Sequence, residues 1–227
     1  MEPGESLGRA STPEGGRIEL IRHATRTVIY VDDLLLMSTD ARGSEIAMAN
    51  DCGALGPQAR VLIGGLGLGF TLRAVLDAVP ADCEVLQVEL LSPLVSWHRS
   101  GLLGEHADHP VRDARVTVVE QDVVACLRES PDDHYDAVLL DVDNGPVAMT
   151  QNTNASLYDD AMMQTLKRVL RPGGHVVFWS ADDFPWFTQQ LLDAGYSARA
   201  DVVSAWADDE VAQTDMQHVL FVASPAP

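Results

Sequence analysis

Four short stretches carry the residues that could do chemistry: GGLGLGF at 64–70, VEL at 88–90, EQDVV at 120–124 and LLDVDNGP at 139–146. Each follows or closes a run of aliphatic residues, so each stands where a strand hands over to a turn or a helix. Gly65, Gly67 and Gly69 let the backbone approach a ligand with no Cβ in the way, and the helix start beyond them offers unpaired N–H groups. Glu89 lies 24 positions beyond Gly65, near the spacing at which a carboxylate accepts from both ribose hydroxyls. Asp122 either receives an adenine amino group or caps the helix that follows, and the two roles are compatible. Asp141 ends an apolar run, after which Asp143, Asn144, Gly145 and Pro146 turn the chain sharply. A carboxylate at that place is a candidate general base. A nucleoside site explains the glycine turn and the three strand-end carboxylates together.

The elements that must position these residues alternate. VLIGG, EVLQVEL, VTVVEQD and DAVLLD read as strands. Helices follow them from about 71 to 79, 93 to 100, 123 to 129 and 157 to 170. Such βαβ repetition implies an α/β protein with a doubly wound, mostly parallel sheet and right-handed crossovers. RPGG at 171–174 is expected to end the last of these helices with a left-handed glycine cap. HVVFWS, a helix through FPWFTQQLLDAGY and a terminal hairpin of ARADVVSAW with HVLFVAS complete the sheet. Residues 1–16, rich in Gly, Pro, Ser and Glu, read as a flexible lead-in. Residues 17–51 read as a small β-hairpin region followed by a helix, and 52–227 as the catalytic domain.

Composition narrows the function. Fifteen Lys and Arg against 34 Asp and Glu give a formal net charge of −19, which repels nucleic acid and anionic membranes and tolerates cationic partners. Cys52, Cys83 and Cys126 are an odd, widely spaced set with no metal-ligand spacing, so reduced thiols in a cytoplasmic protein and no metal site are expected. No run reaches about 18 apolar residues and the start lacks a signal pattern.

VLIGGLGLGFTLRAVLD, VLQVELLSPLV, VTVVEQDVVACL, YDAVLLDVDNGP and LYDDAMMQTLKRVLRPGGHVV resemble the class I S-adenosylmethionine-dependent methyltransferases, and more narrowly the spermidine synthase family within that fold, over roughly residues 17–224. The resemblance implies a Rossmann-like, seven-stranded sheet beneath a small N-terminal β region, and a homodimer. It implies that Gly65, Gly67, Leu68, Gly69, Glu89, Leu90, Asp122, Val123 and Asp141 line the donor site. Asp141 would act as base, supported by Asp143, Asn144 and Glu45. Aminopropyltransferases of this family carry an Asp where Leu68 stands and Asp-Ser-Ser/Thr-Asp-Pro where this chain has Asp141, Val142, Asp143 and Asn144. Their Tyr-His/Gln-Glu appears as Gly43, Ser44 and Glu45. Full S-adenosylmethionine brings its own carboxylate and needs no acid at Leu68. The expectation is therefore methyl transfer to a nitrogen or oxygen of a small acceptor, such as a cationic amine. The alternatives are aminopropyl transfer from decarboxylated S-adenosylmethionine and a non-catalytic nucleoside-binding module.

Other conspicuous residues have plainer readings. Trp97 is expected in the core and His98 in solvent. Trp179, Phe184, Trp186 and Phe187 form either an acceptor wall or ordinary core. The pairs Asp159–Asp160 and Asp182–Asp183 are read as helix starts.

Overall fold

The computed structural model describes residues 4–12, 15–142, 145–146, 154–207 and 215–226. Four strands come first: β1 (Glu5–Ser11), β2 (Arg17–Arg22), β3 (Thr27–Val31) and β4 (Leu34–Ser38). They form one antiparallel sheet in chain order, larger than the hairpin expected. Residues 5–11 of the expected lead-in form β1, which pairs with β2 across a register shift between Ser6 and Gly8. Tertiary packing overrides its turn-rich composition: a Cβ on Gly8 would sit 2.9 Å from the Trp97 ring, and Leu7 and Ala10 join an apolar cluster with Ile18, Leu20 and Ile29.

After the short helix α1 (Gly43–Met48), the chain alternates through β5 (Arg60–Gly64), α2 (Phe70–Ala78), β6 (Glu84–Glu89), α3 (Ser92–Ser100), β7 (Val116–Glu120), α4 (Val123–Glu129) and β8 (Tyr135–Leu140). It ends with α5 (Asp160–Val169), β9 (Leu170–Ser180), α6 (Pro185–Asp193), β10 (Tyr196–Ser204) and β11 (Gln217–Pro225). The second sheet has seven strands in the order β10-β11-β9-β8-β5-β6-β7. Strands β5 to β9 pair in parallel, and β11 runs antiparallel between β9 and β10. RPGG does not cap α5. The chain passes directly into β9 at Leu170, and the β8–β9 register shifts between Tyr135 and Ala137.

The continuous apolar runs of β5 and β8 follow from burial on both faces. Leu62, Val138 and Leu140 pack on one face with α4, α5 and α6 residues such as Leu127, Leu166 and Phe187. Val61, Ile63, Ala137 and Leu139 pack on the other with Met48, Leu72 and Val75. The chain leaves β5 towards β6 on one side and returns to β8 on the other. This reversal opens a crevice at the carboxyl ends of β5 and β8, where ligands bind in open α/β sheets. No described helix is long and apolar enough to cross a membrane.

Candidate active site

The crevice is held tight by backbone. Asp141 N–H donates to Gly64 O at 2.9 Å, and a Cβ on Gly65 would fall 1.9 Å from Asp141 O. Only glycine fits there, and its φ of 87° lies in the left-handed region. Three side chains brace the same turn. Glu89, the buried last residue of β6, accepts from Leu66 N–H through Oε2 and from Leu91 N–H through Oε1, both at 2.7 Å. Burial pushes its carboxyl up, and these amides with those of Gly67 and Leu90 oppose that rise. Gln87 donates to Gly65 O at 2.8 Å. His98 Nε2 lies 2.9 Å from Gly67 O, and its ring is fully buried rather than solvated. Burial lowers its pKa, so a neutral ring donating Nε2–H to the carbonyl is the consistent state.

Two acids converge across the crevice. Thr71, in the first turn of α2, donates its hydroxyl to Asp141 Oδ2 at 2.6 Å. Glu45, buried on α1, faces Asp141 and feels its charge. Burial pushes Asp141 up to about 6 against the Thr71 hydrogen bond. Burial first and the Asp141 charge second push Glu45 up to about 7, against the Ser44 hydroxyl. Among the described residues no cationic side chain offsets either shift. The two carboxylates therefore share protons as one coupled unit, open to a cation or to a proton from an amine.

Both groups bind protons more tightly in the folded chain than in the unfolded one, where they ionise near pH 4. Their contribution to stability is therefore present below about pH 4 and lost as pH rises through about 6 to 7. Denaturant midpoints of the unliganded protein should decline across that window, and Glu45→Gln should flatten the decline. An identical decline in the variant would mean that Glu45 ionises normally.

The remaining candidates are placed as follows. Asp122 is the exposed N-cap of α4, accepting from Val124 N–H at 3.0 Å through Oδ1. Val123 is buried in the core beneath Gly64, and Leu90 is exposed beside Glu89. The Leu68 side chain is fully buried with Ile18, Leu20, Phe70 and Leu94, between the N-terminal sheet and the α2–α3 layer. Its N–H donates to Met37 Sδ at 3.1 Å. Asp143 and Asn144 lie outside the described residues. Asp159 caps α5 by accepting from Met162 N–H. Trp97 packs with the Leu68 cluster. Phe187 is core and Trp186 is exposed, so the aromatics near β9 do not form one wall. A cleft of about 400 Å³ adjoins the starts of α1 and α2, lined by Asp40, Arg42, Phe70, Glu105, His106 and Trp206 among others.

Sequence reasoning missed Thr71, Met37 and the bracing role of His98. Thr71 could have been found, since a hydroxyl two residues past the glycine turn starts the helix beside the β8 end. Nothing local marks Met37.

The chain matches the spermine/spermidine synthase domain family over residues 48–206. Polyamine aminopropyltransferase 2 of Streptomyces coelicolor is 35% identical over 143 residues, which are 56% of this chain and 24% of the relative. The matched segment thus spans about a quarter of that relative's length. A spermidine synthase solved with the transition-state analogue AdoDATO superposes with a TM-score of 0.76 at 19% identity, covering 96% of this chain and 73% of its own. Spermidine synthase from Thermotoga maritima gives 0.75 at 18% identity, covering 98% and 74%. At such identities the structural likeness establishes the fold.

Proposed function

Because the chain belongs to the spermine/spermidine synthase family, we propose that it transfers an aminopropyl group from decarboxylated S-adenosylmethionine to a nitrogen of a cationic diamine or polyamine. The family match and the aminopropyltransferase relative overturn the expectation of a methyltransferase. That expectation rested on the departures at Asp141–Asn144 and Gly43–Glu45 and above all on Leu68, read as a missing acid in the donor site. The Leu68 side chain lies in an apolar cluster, so its identity does not report on what meets the donor's ammonium.

The observation that carries the proposal is the Glu45–Asp141 pair, two protein-enclosed carboxylates with no cationic partner among the described residues. A donor ending in an ammonium and an acceptor entering as an ammonium both supply the missing positive charge. Beside the pair, the glycine turn gives the nucleoside close backbone approach. Glu89 keeps lone pairs for ribose hydroxyls, Asp122 keeps its Oδ2 for an adenine amino group, and Leu90 offers apolar surface. Asp141 takes a proton from the acceptor, its nitrogen attacks the methylene on sulfur, a C–N bond forms, and the C–S electron pair returns to sulfur as a neutral thioether. Aligning nucleophile, carbon and sulfur is the larger part of the work. The cleft lined by Arg42, Phe70 and Trp206 would take the rest of the acceptor.

Mass analysis of the protein incubated with decarboxylated S-adenosylmethionine and a panel of diamines tests this. Aminopropylated amine with stoichiometric thioether is expected. Intact donor with every amine, or a methylated product from S-adenosylmethionine, would reject it. Glu89→Ala should weaken donor binding by about 1.5–3 kcal/mol, the range for hydrogen bonds to a charged group. Calorimetry on a variant first shown to be folded measures this, and unchanged affinity would remove Glu89 from the donor site.

A further inference from the structure

Ser44 is fully buried, and its hydroxyl meets three groups from three elements. It lies 2.7 Å from Glu45 Oε2, 3.0 Å from Trp179 Nε1 on β9 and 2.8 Å from His218 Nδ1 on β11. The valences fix the directions. An indole nitrogen only donates, so Ser44 accepts there. An ionised Glu45 only accepts, so the single Ser44 proton goes to it. One lone pair is left for His218, whose Nδ1 must then carry the proton. The hydroxyl is saturated in this state. Trp179 also packs edge-on against the His218 ring at 4.7 Å between centroids, which fixes the imidazole beside Ser44.

Protonation of Glu45 reverses two of these bonds. A protonated Glu45 donates to Ser44 Oγ, the Ser44 proton turns to His218 Nδ1, and His218 carries its proton on Nε2. Trp179 donates to Ser44 in both states. We propose that Ser44 and His218 form a proton-exit relay for Glu45, carrying the acceptor's proton from the crevice to the partly exposed His218.

In each passage the proton taken by Asp141 passes to Glu45 within the coupled pair, Glu45 gives its proton to Ser44 Oγ, and Ser44 gives its own to His218 Nδ1. The Nε2 proton of His218 leaves to solvent, which leaves the Nδ1–H form, and tautomerisation of the ring through solvent together with rotation of the hydroxyl restores the starting state. No electron moves, and the net result is one proton released per amine deprotonated. Burial first and the Asp141 charge second push Glu45 up to about 7. Burial holds His218 below the usual imidazole range while Asp182 opposes that effect. Glu45 thus holds a proton up to about pH 7, and a ring kept neutral by burial can pass a proton on rather than retain it. The relay's use in catalysis rests on the aminopropyl-transfer reading, whereas its existence does not.

Nitrogen-15 NMR of the His218 ring separates the two. In the unliganded protein the ring should pass from the Nε2–H to the Nδ1–H form as Glu45 ionises, and this change should vanish in Glu45→Gln. Ring shifts that are the same in both proteins would overturn the relay. Kinetically, His218→Asn places an amide N–H near the Nδ1 position, keeping Ser44 bonded while removing the second nitrogen. The variant should bind donor normally, with unchanged KM for the amine. Its kcat should fall roughly a hundredfold, the weak end for a positioned acid–base group, and added imidazole should restore part of it. Normal kcat across the pH range would also overturn the relay. Coupled ring titration in a protein that forms no aminopropyl product would leave the relay standing and reject the function.

Discussion

Replacing Asp141 by Asn is expected to leave the protein folded and to lower aminopropyl turnover by roughly 10²- to 10⁴-fold, the usual worth of a positioned base. The substitution keeps shape and hydrogen bonding, since the Asn carbonyl can still accept from Thr71 Oγ1, now 2.6 Å from Asp141 Oδ2. What disappears is a buried negative charge. Burial opposes that charge in the free protein, and it raises Glu45 beside it. The Asn variant should therefore be more resistant to denaturant than the unchanged protein above about pH 6, while being nearly inactive. Gain in stability with loss of turnover is the signature of a strained charge kept for function. Steady-state kinetics and urea melts at pH 6 and 8 measure both. Near-normal turnover would reduce Asp141 to a partner that orders the start of α2.

The parts of this arrangement that were legible in the sequence are local. The glycine turn, Glu89 and Asp141 each close a strand, and strand ends can be read from apolar runs and turn residues. The doubly wound, mostly parallel sheet followed from βαβ alternation, and its seven strands from the family resemblance. β1 was not legible because Gly8 and Ser11 carry no strand period; only the Trp97 ring above Gly8 makes glycine fit there. The charge interaction of Glu45 with Asp141 joins residues 96 positions apart, and Ser44 meets residues 135 and 174 positions away. No periodicity links such positions. His98 looked like a surface histidine on a polar helix until its ring was seen under Gly67 and Gly69.

Leu68 shows most clearly what spacing cannot report, and it supplies the other large expected effect. It lies between Gly67 and Gly69, both at positive φ, so neither a strand nor a helix period tells which way its side chain leaves the turn. It leaves towards the N-terminal sheet and packs against Ile18, Leu20 and Leu94. Leu68→Asp would lose the apolar burial of a leucine, about 1.5–3 kcal/mol. It would also put a carboxylate among hydrocarbons with no partner, a further cost of several kcal/mol even if the acid stays protonated. A loss of roughly 4 kcal/mol or more is expected, a large share of the roughly 5–15 kcal/mol that typically holds a domain folded. Leu68→Met, which conserves volume, should cost less than about 1.5 kcal/mol and leave donor affinity unchanged. Denaturant midpoints for both variants, with donor titration of any that fold, check the assignment. A Leu68→Asp protein as stable as the original that binds the decarboxylated donor more tightly would show that this side chain reaches the crevice. The donor's ammonium would then have an acid other than Glu45 and Asp141.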